Sequence, residues 1–470
     1  MSKFIAGIAL ESRRISCVIA EKKEISNKDR KTTVSIRAVA GQSMLNDVVL
    51  MNNGWPADMI LITQLIKNII AETEEKANKL QNKDGKPLFD DIVRAQEIYI
   101  SVHGSRFSLI EGRIEKNFDA PEYITEERIS SLLEESLSET AFSEAEKGNV
   151  LPVIHVIPQK FYAKDSAPIT SPLGMSLSSI NCNYIAVAAS EDALNNINNA
   201  VSNNGETDIN GTFYEPVVAG EYMLTGLERA TGSIFLDIGR LTSTMAIYKD
   251  GALVFFKELE AGGDTVSFNI QTYLNRNQNP GNEFSLSAAD EIKMKHGAAN
   301  PKFANNNGEE PIKTDKKQIT EKELIDKCLL PHINLVLDTF EKFFKDFLKR
   351  KNYKQSVFSQ VILTGGGANL KGMPDLVKQF FKAKSVRQAS IPPKVFSGIK
   401  AKLECPEDLQ KMDYIAPLAT INYAFNKPSQ NDLYSWNEDT SMPGFSFYEN
   451  TIGKLGDAFR KLFGRKSSKN

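Results

Sequence analysis

The stretch SIFLDIGRLTSTMAIYKDGALVFFKEL, residues 233–259, reads as three strands joined by two turns. The apolar run Ser233–Leu236 enters the segment Asp237-Ile-Gly239-Arg-Leu-Thr242, and Met245–Tyr248 leaves it. Asp250-Gly251 is a strong hairpin signal, because the favoured two-residue turn needs positive φ at both central positions. The strand Leu253–Leu259 completes the unit. The same plan stands at the start of the chain. There Phe4–Ala9 is apolar, Glu11 to Arg14 form a charged turn, Ile15–Ala20 is a second run, and Thr33–Ala40 is a third candidate strand. Two copies of one meander predict two related lobes. Helical patterns over Asp58–Ala77 and Leu324–Leu348 alternate with the strands, which indicates α/β lobes.

At 470 residues the chain exceeds one ordinary core. Its 41% hydrophobic and 25% charged residues are those of a folded globular protein. The net charge of −2 supplies no global field toward polyanions, so no nucleic-acid partner is expected and any such attraction is local. Cys17, Cys182, Cys328 and Cys405 form no CxxC pair, which argues against a zinc site or a disulfide framework and fits a reducing cytoplasm. The N-terminus reads as no signal peptide. No stretch approaches the roughly 20 apolar residues of a spanning helix, so a membrane would be met at its surface. Residues 76–90, 299–320 and 427–444 are polar and turn-rich and read as loops, the last as a tether.

The turn at Asp237–Thr242 carries the strongest chemical signal. Gly239 permits a tight turn whose backbone N–H groups converge on one point, a nest that suits phosphate oxygens, with the Thr242 hydroxyl as a further donor. Asp237 at the strand end is placed to hold the water shell of a Mg²⁺ ion; a plain hairpin is the competing reading. In FSQVILTGGGANLKG (358–372), the strand Val361–Leu363 runs into Gly365, Gly366 and Gly367. Glycines after a buried strand let a flat ligand approach the backbone, although such a joint also occurs for structure alone. Asp290 and Lys293 lie three residues apart on one helix face, as a ligand-binding pair or as a solvated ion pair. Gly262-Gly263-Asp264-Thr265 starts a helix. His103, His155, His296 and His332 are scattered without HExxH or triad order and read as structural, and no GxxxxGK[ST] loop occurs.

Residues 451–470, TIGKLGDAFRKLFGRKSSKN, form a separate signal. Wound as a helix, Ile452, Leu455, Ala458, Phe459, Leu462 and Phe463 fall within an arc of about 140°. Lys454, Arg460, Lys461 and Arg465 lie outside it. A short helix of this kind suits an anionic membrane surface, each basic residue contributing on the order of 1 kcal/mol. A helix docked on its own domain or in a partner's groove is the alternative.

An Asp-x-Gly-x-x-Thr turn, Gly-Gly before a helix, Ala-Asp-x-Ile-Lys and Leu-Thr-Gly-Gly-Gly-Ala follow the motif order of actin-like ATPases. The phrases SLSAADEIKMKHGAA (285–299), VILTGGGANLKGM (361–373) and VLPVIHVIPQKFYAKD (150–165) closely resemble the bacterial cell-division FtsA family. The resemblance implies a two-lobed actin-like (ribonuclease H-like) α/β fold with an inserted small α+β subdomain and a C-terminal amphipathic helix. It implies a first lobe over 1–85, 166–227 and 396–427, with the insertion at 86–165, where the candidate strand Gln96–His103 and helix Thr125–Leu137 fall. The second lobe takes 228–270 and 326–395, with a small subdomain at 271–325. A linker at 428–450 leads to the membrane helix at 451–466.

The resemblance further implies ATP with Mg²⁺ held between the lobes. Gly239 and Thr242 would meet phosphate, Gly263 would belong to the nucleotide site, Asp237 would support Mg²⁺ through water, Asp290 and Lys293 would meet the ribose, and Gly365 to Gly367 would cradle adenosine. In the first loop Ser12 takes the family's Thr position and Arg14 its Lys position, whereas Ala9 stands where an acid belongs and Glu11 where glycine belongs. Either the loop has lost its acid, or it is shortened and Glu11 serves. In the second turn Arg240 and Leu241 replace two glycines, and Thr244 stands where Asp is common. A carboxylate beside a triphosphate repels it, and Arg13, Arg14 and Arg240 offset that. Nucleotide binding with weak or absent hydrolysis is the expectation. The implied partners are the tubulin-like FtsZ, other copies in a filament, later division proteins through the insertion, and the cytoplasmic face of the inner membrane at the septum. The alternatives are a PilM-like pilus-assembly scaffold and a sugar kinase or chaperone ATPase of the same superfamily.

Overall fold

The computed structural model describes residues 3–26, 32–104, 107–146, 152–164, 168–169, 171–202, 209–276, 283–313, 318–390, 396–397 and 401–425. The chain divides into two compact units. One comprises Met1–Ala230, Asp250–Val254 and Ser390–Asn470, the other Thr231–Lys249 and Phe255–Ala389.

In the first unit the predicted meander is present. Lys3–Leu10 pairs antiparallel with Arg14–Ser26, which pairs antiparallel with Thr32–Leu45. Seven strands form the sheet, in the order Ile209–Tyr214, Ala95–Val102, Lys3–Leu10, Arg14–Ser26, Thr32–Leu45, Ala401–Glu404, Phe396–Ser397. Phe4 to Leu10 are all buried, as a central strand covered on both faces requires. A Cβ on Gly7 would lie 2.5 Å from the Pro417 carbonyl oxygen and 2.6 Å from Ile421 Cγ1. Only glycine lets the helix Ile415–Phe425 lie this close to the strand. Asp58, the first residue of the predicted helix, serves instead as the cap of Met59–Asn78, accepting from the N–H groups of Ile60 and Leu61.

The second unit repeats the plan. The five-stranded sheet runs Ala252–Leu259, Ser243–Lys249, Ser233–Ile238, Gln360–Thr364, Ser385–Gln388, with Phe255–Leu259 and the other four strands in this unit. Ser233–Ile238 is antiparallel to Ser243–Lys249 and parallel to Gln360–Thr364, all six of its residues being buried. Phe340, Phe344 and Phe347 of the helix Leu330–Lys351 are fully buried in this unit's core, where each aromatic contributes roughly 1.5–3 kcal/mol of burial.

Three expectations are corrected. The strand Gln96–His103, expected in the insertion, is observed as Ala95–Val102 in the main sheet, parallel to both Lys3–Leu10 and Ile209–Tyr214. Its Ile98, Ile100 and Val102 are buried, an apolar set that needs a covered sheet. The separate small sheet consists instead of Phe107–Tyr123, Ser176–Ala189 and Val153–Tyr162, with the helix Glu126–Glu146 beside it. Ile114, Ile129, Leu133, Val156, Ile180 and Tyr184 belong to its own core. The helix expected over Leu324–Leu348 is composite. A π-helical turn, Ile325–Leu329, precedes Leu330–Lys351, and Pro331, which has no N–H to continue an α-helical ladder, follows that turn. Within the loop expected at 299–320, Pro311–Lys313 and Gln318–Thr320 pair as a hairpin. The tail with its candidate membrane residues, and the tether before it, lie outside the described residues.

Candidate nucleotide site

In the second unit the candidate residues converge around the turn between Ser233–Ile238 and Ser243–Lys249. The Gly239 N–H donates to the Thr242 carbonyl at 3.0 Å and closes the turn. The turn is clamped to the start of the helix Gly263–Asn275, where the Gly263 N–H donates to the Gly239 carbonyl at 3.0 Å and the Asp264 N–H to the Arg240 carbonyl at 2.8 Å. A Cβ on Gly262 would lie 2.5 Å from the Arg240 carbonyl oxygen, so the clamp needs that glycine. Among the described residues the backbone N–H groups of Arg240 and Leu241 make no hydrogen bond. Two successive donors at the head of a tight turn are the arrangement from which anion-binding nests are made. Thr242 and Asp237 are both buried.

Asp290 and Lys293 of the helix Leu286–His296 form no solvated pair. Asp290 Oδ1 accepts from Lys293 Nζ at 2.6 Å and from Ser267 Oγ at 2.7 Å. Lys293 Nζ also donates to the Gly263 carbonyl at 2.9 Å, which ties this helix to the start of Gly263–Asn275. Arg240 reaches over from the turn, with Nε 2.7 Å from Asp264 Oδ1 and Nη2 3.3 Å from Asp290 Oδ2. Burial alone pushes the Asp290 pKa up. Hydrogen bonds from Lys293 and Ser267, with the charges of Lys293 and Arg240, outweigh it and hold the carboxyl below its ordinary value.

The three glycines after Gln360–Thr364 differ in what they do. Gly365 has φ 80° and ψ 168°, a region open essentially to glycine alone. A Cβ there would lie 2.3 Å from Asp237 Oδ1 and 2.4 Å from the Ile238 carbonyl oxygen. One on Gly367 would lie 2.3 Å from Ile238 Cγ2. One on Gly366 would meet nothing within 4 Å. Internal packing therefore explains the first and third glycines, and the middle one presents bare backbone to open space.

The first loop, in the other unit, is a tight turn in which the Glu11 N–H donates to the Arg14 carbonyl at 2.9 Å. The Ser12 carbonyl accepts from Leu50 N–H at 2.7 Å. Arg14 pairs with Asp413. The reason is strand parity. Gly7 is paired with Val18 on the face covered by the helix Ile415–Phe425, and Arg14 and Ser16 share Val18's face. Sequence reading passed over Glu215, a buried carboxylate at the start of the helix Glu215–Met223, whose Oε2 lies 3.2 Å from His103 Nδ1. The available signal was Tyr-Glu-Pro, a carboxylate beside proline at a helix start.

A sequence model of the family described as "Cell division protein FtsA" matches residues 234–410. The "Cell division protein FtsA" of Enterococcus faecalis is 22% identical over 439 residues, covering 88% of this chain and 90% of that one. That of Enterococcus hirae is 21% identical over 426 residues, covering 87% of each. These matches support a divergent relative of FtsA. Among solved structures, a type IV pilus biogenesis complex of PilM and PilN is similar at 14% identity with a TM-score of 0.53, covering 91% of this chain and 98% of that one. At that identity the likeness establishes the actin-like fold. The FtsA match spans every second-unit candidate from Asp237 to Gly367, while Ser12 and Arg14 precede it.

Proposed function

We propose that this FtsA-family chain binds ATP with Mg²⁺, assembles with other copies at the cytoplasmic face of the inner membrane, and links FtsZ filaments to that membrane at the division septum. The observation that supports nucleotide binding is the pair of backbone donors of Arg240 and Leu241, held at the head of a turn that is clamped to a helix start. The residues suit the ligand. Successive N–H groups match phosphate oxygens, Gly366 leaves room where a Cβ would intrude, and Asp290 and Lys293 offer an acceptor and a donor to a sugar. Asp237 would hold the water shell of Mg²⁺, whose chemistry here is to screen the phosphate charge. Arg14, neutralised by Asp413, lends the first loop less positive charge than its sequence suggests. Binding with slow or absent hydrolysis is the consistent reading, so the chain serves as a nucleotide-loaded scaffold, with later division proteins meeting the inserted module.

Among the described residues no helix is long and apolar enough to cross a membrane. The amphipathic pattern of residues 451–466 supports surface attachment. One short helix binds weakly, and a filament presenting many tails supplies the missing avidity. The test is co-sedimentation with anionic vesicles, comparing the full chain with a truncation at residue 444, with and without ATP. The full chain should pellet, more strongly with ATP, and the truncation should not. Equal pelleting of the two chains would overturn the tether, and fast turnover of Mg-ATP would favour a kinase or ATPase instead.

A further inference from the structure

The network around Arg240 has a consequence for which ligands the site prefers. Four charged side chains meet there: Arg240 from the turn, Asp264 from the first turn of Gly263–Asn275, and Asp290 and Lys293 from Leu286–His296. Two cations face two carboxylates, so the network is closed without a ligand. Within it the contacts are unequal. Asp290 Oδ1 is held at 2.6 and 2.7 Å by Lys293 and Ser267, whereas Oδ2 is held by Arg240 alone at 3.3 Å. Arg240 Nη1 has no hydrogen-bond partner among the described residues. The guanidinium therefore stands between two possible attachments: the Asp290 carboxylate, and any anion resting on the N–H groups of its own backbone and of Leu241.

We infer that Arg240 is a specificity-determining residue that couples recognition of phosphate to recognition of the sugar, and so makes this chain select nucleoside polyphosphates over nucleosides. The inference rests on the nucleotide reading above. A nucleoside alone, donating a sugar hydroxyl to Asp290 Oδ2, competes with Arg240 for that oxygen and gains little. A polyphosphate on the turn draws the guanidinium toward itself, because arginine binds phosphate oxygens through paired, charge-assisted donors. Asp290 Oδ2 is then released to accept from the sugar, while Lys293 and Ser267 keep the carboxylate in place. Each half of the ligand favours binding of the other half, a coupling that must be reciprocal. Glycine, which the FtsA resemblance puts at this position, has no side chain to create the competition.

The test is equilibrium binding of adenosine, ADP and ATP to the full-length chain, wild type against Arg240→Ala and Asp264→Asn, with thermal unfolding run in parallel. Arg240→Ala should lower the ratio of ATP to adenosine affinity by on the order of tenfold, the worth of one charge-assisted hydrogen bond. Part of that change should be a gain in adenosine affinity. Asp264→Asn removes one of the two carboxylates that hold the guanidinium back and leaves the turn intact. It should raise the same ratio, and it keeps the test decisive if Arg240→Ala unfolds. An unchanged ratio in Asp264→Asn, or equal weakening of ATP and adenosine in a folded Arg240→Ala, overturns the role of Arg240 while nucleotide binding stands. Failure of the wild type to bind any of the three overturns the nucleotide reading and this inference with it.

Discussion

Adding one methyl group at each of three consecutive glycines separates a structural joint from a ligand surface. At Gly365, alanine must adopt a φ of 80° and a ψ of 168°, which costs roughly 1–3 kcal/mol for a residue with a Cβ. The same Cβ would lie 2.3 Å from Asp237 Oδ1 and 2.4 Å from the Ile238 carbonyl oxygen. Overpacking of that kind adds roughly 1–3 kcal/mol. Gly365→Ala is therefore expected to destabilise by roughly 2–6 kcal/mol. Gly367→Ala meets a branched, buried side chain, Ile238, at 2.3 Å, and should cost roughly 1–3 kcal/mol. Gly366→Ala meets nothing within 4 Å and needs no unusual backbone angle. It should be neutral or gain about 0.4–1 kcal/mol through a less flexible unfolded chain. Denaturant unfolding of the three full-length variants reads the stability. Equilibrium binding of ATP to Gly366→Ala then reads the ligand surface, where a methyl against adenosine should weaken affinity about tenfold or more, equivalent to 1.4 kcal/mol or above. Loss of stability in Gly366→Ala matching that of Gly365→Ala would refute the packing argument. Full ATP affinity in a stable Gly366→Ala would refute the cradle.

Further outcomes follow from other parts of the molecule. The Asp290 pKa is lowered on folding, so its ionised form contributes stability above the unfolded value of 3.8, and that contribution is lost as pH falls through the lower folded value. Wild-type stability should therefore drop on acidification below about pH 4 more steeply than that of Asp290→Asn; parallel curves would contradict the network. Glu321 shares the direction. Burial raises its pKa, but His296 and the Asn305 backbone and side chain outweigh that, so Glu321→Gln should flatten acid unfolding in the same range. His155 is fully buried, with Nε2 accepting from the Tyr214 N–H at 2.8 Å and Nδ1 3.0 Å from the Tyr423 hydroxyl. His155→Phe keeps the bulk and removes both bonds, so it should cost roughly 1–3 kcal/mol and speed hydrogen exchange at the Tyr214 amide. Exchange as slow as in the wild type would place the restraint elsewhere. Replacing Phe459 and Leu462 by Ser in the full chain should abolish vesicle binding without altering ATP affinity, and retained pelleting would remove the tail from the membrane contact.

Much of the architecture was legible because it is written in local order. The two meanders could be read from alternating apolar runs and turns, since a strand's burial depends mainly on its own side chains and on sheet position. The Asp-x-Gly-x-x-Thr turn, the Gly-Gly helix start, the Asp290–Lys293 spacing and the triple glycine were likewise visible as residue types at fixed intervals. Their roles were not, because a role depends on neighbours far away in the chain. Strand parity and a helix about 400 residues later decide that Arg14 answers Asp413. Ile238, more than 100 residues before the glycines, makes two of them obligatory for packing and leaves Gly366 open. Arg240 looked like a charge added to the phosphate turn. The helices that bring Asp264 and Asp290 to it turn that charge into one member of a closed network. The sequence by itself determined the α/β meanders, the resemblance to FtsA and the amphipathic period of the tail, all of which rest on short-range pattern. Only the tertiary structure decided which charges are already spoken for and which backbone is bare, because electrostatic pairing and steric contact act through space and carry no signature in spacing along the chain.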